Sequence, residues 1–166
     1  MVSGKKKVVS TKFKLYTVAV TIFVIVTALL LFFVANNDDE LRLMDADTGQ
    51  VYASYPMSVG QQFSVTFIHS VNKSPVIDTY EVREDGIWLV ATKYYTFGAG
   101  VPTETEAGET LTYKEDGGML ISGMDRLIPQ LCYVVGTVSD HTLEMNGEEI
   151  SLRELCGKNS SVTFLW

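Results

Sequence analysis

The chain has 166 residues, 46% hydrophobic and 20% charged, with a formal net charge of −7. That balance excludes intrinsic disorder and, with 13 glycines and 4 prolines, a collagen-like or proline-rich chain. Two cysteines are too few for a disulfide-dense scaffold or a four-thiolate zinc site, and the acidity argues against nucleic acid, which needs a basic face.

Charge is distributed very unevenly along the chain. Residues 1–14 form a basic tail with Lys5, Lys6, Lys7, Lys12 and Lys14 and no acid. Residues 15–34 then run for 20 positions without a charge. A helix of that length spans about 30 Å, the thickness of a bilayer core, so the segment is expected to be a transmembrane anchor. The upstream lysines favour the cytoplasmic side and place the rest of the chain outside the cytoplasmic membrane. A cleaved signal peptide fits less well. Its apolar core is shorter and ends in a small-x-small site, whereas Phe33 stands two positions before Ala35. Residues 35–40 read as a polar linker. Residues 35–166 hold all 20 acids and eight basic residues, a net charge of −12.

Beyond residue 40 strand signals are dense and no helical period persists for 10 residues. Leu41–Asp45 alternates, and Asp47-Thr48-Gly49 is a turn before Gln50–Tyr55. Phe63–Ile68 and Val76–Arg83 follow, closed by Glu84-Asp85-Gly86. Ile87–Phe97 is rich in β-formers. Glu109–Tyr113 and Met119–Ser122 flank Asp116-Gly117-Gly118, and the apolar run Pro129–Val135 reads as a central strand. Thr142–Met145 and Glu148–Leu152 flank Asn146-Gly147, a strong hairpin signal, and Ser161–Leu165 is another strand. Only Ser151–Lys158 suggests a short helical turn. The expectation is an all-β domain over 41–166, an antiparallel sandwich or barrel of about nine or ten strands.

Few residues advertise chemistry. His69 and His141 stand in no metal-ligand spacing, so no metal or other cofactor is expected. Cys132 and Cys156 are candidates for a disulfide in an oxidising compartment, with two buried thiols as the alternative. His69 and Ser70 are neighbours on a strand and point to opposite faces, which is poor geometry for activating a nucleophile. Two segments are nonetheless peculiar. One runs through His69, Ser70, Val71, Asn72, Lys73, Ser74 and Pro75, and the other through Phe97, Gly98, Ala99, Gly100, Val101 and Pro102. As plain scaffold both would be tight turns, Gly allowing positive φ and Pro fixing φ.

The order F-x-H-S-V-x-K-S-P-V over 67–76, then Asp78-Thr79-Tyr80-Glu81, Gly86-Ile87-Trp88-Leu89 and F-G-A-G-V-P, resembles the family known as domain of unknown function 1850. The likeness covers residues 63–102 in motif and the remainder in layout. It implies a small prokaryotic protein with an N-terminal membrane segment and a β-rich domain. It also implies an accessory role beside TAXI-type TRAP transporters, which import small organic acids, but supplies no catalytic residues. The leading expectation is therefore a non-catalytic, anchored accessory subunit. It would touch the transporter's membrane subunit or its TAXI solute receptor through His69, Ser70, Lys73, Ser74, Pro75, Asp78, Gly98, Ala99, Gly100 and Pro102. A small-ligand or ion-binding module, with the His69 and Gly98 loops at one barrel mouth, is the alternative. A hydrolase using Ser70, Ser74 or an acidic pair comes third.

One geometric expectation is sharp. Phe63–Val71 and Val76–Arg83 form a hairpin whose opposed residues sum to 147. That pairs Val65 with Val82, Phe67 with Tyr80 and His69 with Asp78 across an Asn72–Pro75 loop. A sum of 145 is the rival, and it puts Phe67 opposite Asp78.

Overall fold

The computed structural model describes residue 14 and residues 16–28, 39–96 and 104–166. It divides into two units, 1–38 and 39–166.

In the first unit, helix α1 covers 16–28. It is apolar all round, and Tyr16, Phe23 and Ile25 are all exposed. Thr21 and Thr27 donate their hydroxyls to carbonyls one turn earlier, those of Thr17 and Phe23. Among the described residues no helix is long and apolar enough to cross a membrane. The expected span over 15–34 lies partly outside them, because residues 15 and 29–34 are not described.

The second unit is built from strands. In chain order they are β1 (Glu40–Asp45), β2 (Val51–Pro56), β3 (Gln62–Ile68), β4 (Pro75–Arg83), β5 (Gly86–Tyr94) and β6 (Thr110–Tyr113). Then come β7 (Met119–Leu127), β8 (Leu131–Val134), β9 (Thr142–Met145), β10 (Glu148–Ser151), a short helix α2 (Leu152–Cys156) and β11 (Ser161–Leu165). They form two antiparallel sheets, one of order β2-β1-β11-β8 and one of order β10-β9-β3-β4-β5-β7-β6. The all-β expectation therefore holds as a two-sheet sandwich, with eleven strands among the described residues rather than about nine or ten.

Alternation explains how the sheets face each other. Leu41 and Leu43 of β1 and Val162 and Phe164 of β11 meet Phe63 and Val65 of β3, Val82 of β4 and Leu143 of β9 in one core. Each such fully buried side chain contributes about 1.5–3 kcal/mol. The Phe63 and Phe164 rings stack across the two sheets at 5.8 Å.

Local chemistry sets the turns. Asp45 ends β1 and accepts from the Asp47 and Thr48 amides and from the Tyr52 hydroxyl. The Tyr52 bond leads in pulling its carboxyl down to about 2. The α2 helix begins where Ser151 accepts from the Glu154 amide.

Three expectations need correction. The run Pro129–Val135 is an edge strand, not a central one, because among the described residues β8 pairs only with β11. Its Cys132 and Val134 are exposed in alternation with Leu131, a pattern suited to one covered face. The Met119–Ser122 strand continues to Leu127 because Gly123, at φ 77°, supplies a bulge. A Cβ there would lie 2.6 Å from the Gly108 carbonyl oxygen, so the close backbone approach requires glycine. Finally, Cys132 and Cys156 are free: Cys132 is exposed, whereas Cys156 packs against the core. Burial pushes the Cys156 thiol up to about 11.

Candidate functional site

The β3–β4 hairpin carries the first motif, and its register departs from both expected ones. Phe63 opposes Tyr80, Val65 opposes Asp78 and Phe67 opposes Val76, a constant sum of 143. The turn is closed by the His69 amide donating to the Ser74 carbonyl and the Lys73 amide to the His69 carbonyl, both at 2.9 Å. His69 itself draws the turn tight. Its Nδ1 accepts from the Val71 and Asn72 amides at 3.3 Å each. Those bonds take Val71 out of the strand, so it cannot pair with Val76 as a sum of 147 requires. Lys73 sits at φ 52°, the left-handed conformation that a tight turn demands. A shift of four in the sum keeps every side chain on its expected face but slides Asp78 away from His69. Four residues of strand, roughly 13 Å, separate His69 from Val65, the residue that Asp78 faces.

Asp78 therefore sits inside the sandwich, and two hydroxyls receive it. Thr92 donates to Oδ1 at 2.6 Å and Tyr133 to Oδ2 at 3.2 Å. The Tyr80 and Tyr133 hydroxyls are 2.6 Å apart, which completes a chain from Tyr80 through Tyr133 to the carboxylate. Since Tyr133 belongs to β8 and Asp78 to β4, the chain ties one sheet to the other. Burial raises Asp78 above the ordinary carboxyl value, and the two hydroxyl bonds offset only part of that. Burial likewise raises both tyrosines, with the Asp78 charge adding to it.

A second group lies at the strand ends above this chain. The β8–β9 loop turns sharply at Gly136, where a Cβ would stand 2.1 Å from the Ser139 carbonyl oxygen. His141 serves this loop as His69 serves the turn, its Nδ1 accepting from the Gly136 amide at 3.2 Å. The His141 ring stacks on Phe67 at 5.7 Å and meets Tyr133 edge-on at 5.7 Å. Burial lowers His141 below the ordinary histidine value, the Asp140 charge opposing and the Arg153 charge reinforcing that shift. Asp140 is disfavoured as an anion by burial, but the Ser151 hydroxyl and the Arg153 and His141 amides outweigh this and lower it. Arg153 also donates from Nη2 to the Gly136 carbonyl at 3.0 Å, so α2 braces the loop.

Turn and loop enclose a cavity of about 350 Å³ lined by Ile68, His69, Ser70, Lys73, Gly136, Thr137, Val138, Ser139 and His141. Three residues singled out in the sequence, His69, Ser70 and Lys73, thus share one pocket. Ser74 turns aside to bond Thr96 at 2.7 Å, Pro75 opens β4 opposite Ile68, and Asp78 belongs to the inner chain. Gly98, Ala99, Gly100 and Pro102 lie outside the described residues. Sequence reasoning missed His141, Gly136–Ser139 and the hydroxyl partners Thr92 and Tyr133. No local spacing reveals that loops some seventy positions apart meet. Among the described residues no group of three or more His, Cys, Asp or Glu side chains is placed to hold a metal.

These features define an antiparallel β-sandwich with a polar clasp between its sheets and a small pocket at one end. The chain belongs to the family described as Domain of unknown function (DUF1850), which matches residues 63–152, from β3 to the start of α2. Neither curated proteins nor solved structures yield a match.

Proposed function

We propose that the chain is a membrane-anchored, extracytoplasmic accessory subunit of a TAXI-type TRAP transporter for small organic acids. It acts by protein–protein contact rather than catalysis. Family membership and the 20 uncharged residues 15–34 support the setting. An exposed helix that is apolar all round, as α1 is over 16–28, favours a lipid or protein cover. The observation that carries the contact reading is the end of the sandwich that holds the pocket. Val138, which lines the cavity, is 90% exposed, and Val71 in the β3–β4 turn is 66% exposed, so turn and loop each present an apolar tip. Co-purification of the full chain from native membranes with the permease and solute receptor tests this. Both partners are expected to be recovered, and Val138→Asp should reduce recovery several-fold. Migration of the chain alone, or recovery indifferent to Val138→Asp, overturns it.

A second reading, a small-ligand module, is favoured by the cavity itself, which is large enough for a ligand of a few heavy atoms. Hydrolysis has less support, since His69 Nδ1 is occupied by backbone amides and does not address Ser70.

A further inference from the structure

We infer that the pocket between the β3–β4 turn and the β8–β9 loop is an anion site for a small carboxylate with a short apolar body. The inference rests on the ligand-binding reading above and names the ligand's chemistry.

The two histidines carry the argument. His69 Nδ1 accepts from two backbone amides and His141 Nδ1 accepts from one. A ring nitrogen that accepts holds no proton, so in each neutral imidazole the proton lies on Nε2. Each free ring nitrogen is thus a donor with no lone pair to offer. Metal-binding histidines show the reverse arrangement, donating their second N–H to a carbonyl or carboxylate. Two histidines lining one cavity would otherwise suggest a transition metal, and this tautomer argues against it.

Charge points the same way. The 35–166 region carries a net charge of −12, yet the pocket lining contains no Asp or Glu and does contain Lys73. The other lining groups include the Ser70 and Ser139 hydroxyls. Among the described residues Lys73 forms no ion pair, a state it shares with Lys114, Arg153 and Lys158, but of these four only Lys73 lines the pocket. One unpaired cation with neutral N–H donors suits a single negative charge better than a doubly charged phosphate. Ile68 and Val138 supply the apolar wall for the ligand's carbon body.

The test titrates the full chain in detergent micelles with isobutyrate, its neutral isostere isobutyramide, inorganic phosphate and Zn²⁺, by calorimetry and by ¹⁵N spectra of the histidine rings. Isobutyrate is expected to bind in preference to isobutyramide and phosphate, with both rings in the Nε2–H form. Lys73→Met and His69→Ala should each weaken it about tenfold or more, the loss of one charge-assisted bond. His69→Gln, whose amide restores a donor near Nε2, should recover part of that. Thermal midpoints of the variants confirm that they fold. Equal binding of isobutyramide, tighter binding of phosphate, or indifference to Lys73→Met overturns the anion site but leaves a ligand pocket standing. Saturable Zn²⁺ binding abolished by His69→Ala or His141→Ala also overturns it. No binding by any probe up to concentrations on the order of 50 mM overturns both the anion site and the ligand reading.

Discussion

At the scale of single residues, Asp78 is a carboxylate whose charged form is disfavoured by burial. It is the partly buried carboxylate of the clasp, held by two hydroxyls, and among the described residues it has no ion-pair partner. Burial raises its pKa above 3.8, so the folded chain keeps this proton to a higher pH than the unfolded chain does. Stability is therefore lost as pH rises from the ordinary carboxyl value through the raised one. Asp78→Asn preserves the shape, since the amide oxygen accepts from Thr92 and the amide nitrogen donates to Tyr133. The variant should gain on the parent steadily across that window in urea titrations at successive pH values. A constant offset at every pH would refute the account. His141, lowered by burial, produces the opposite slope below its ordinary value, and the comparison of variant with parent cancels it. Asp78 stood out in the sequence as part of a dense motif. Its real partners, Thr92 and Tyr133, did not, because a threonine in a strand and a tyrosine in an apolar run are what any sandwich core contains. His69 and Lys73 were legible as one turn for the opposite reason: their hydrogen bonds run between residues 69 and 74.

The elements follow from turn chemistry to a large degree. Asp45 with Gly49, Asp85 with Gly86, and Asn146-Gly147 each mark a reversal at which two strands meet, and the structure turns at all three. What alternation cannot supply is register. Sums of 147, 145 and 143 put the same residues on the same face, so hydrophobic pattern does not separate them. Two amides donating to His69 Nδ1 decide the matter, and side-chain capping of this kind leaves no periodic trace. The continuation of β7 past Ser122 has a similar origin, since glycine usually reads as a stop. Gly123→Ala should destabilise the domain by about 1–3 kcal/mol, combining positive φ with the Gly108 approach. Equilibrium denaturation measures this, and an alanine variant as stable as the parent would show that the bulge relaxes freely.

For the whole molecule, the two sheets depend on burial rather than on covalent staples. Cys132 should react with a thiol reagent in the native chain, and Cys156, part-buried with its thiol near 11, only on unfolding. Two thiols labelled after denaturation without reductant is the expected total, and none would restore the disulfide expected from composition and compartment. That expectation treated an even cysteine count as a framework, whereas an edge strand leaves Cys132 on its outer face, away from any partner. The strand order has one further consequence, which concerns time. Within the four-stranded sheet β11 lies between β1 and β8, and 115 residues separate it from β1 along the chain. At about 5–20 residues per second, synthesis leaves the β1–β2 hairpin waiting on the order of ten seconds for its neighbour. Among the described residues the strand β8, which leads into the Gly136–His141 loop, pairs with no strand but β11. A nascent chain thus displays the His69 turn well before it can build the opposite wall of the pocket. The opposite wall of the pocket can therefore be set in place only after β11 has been made.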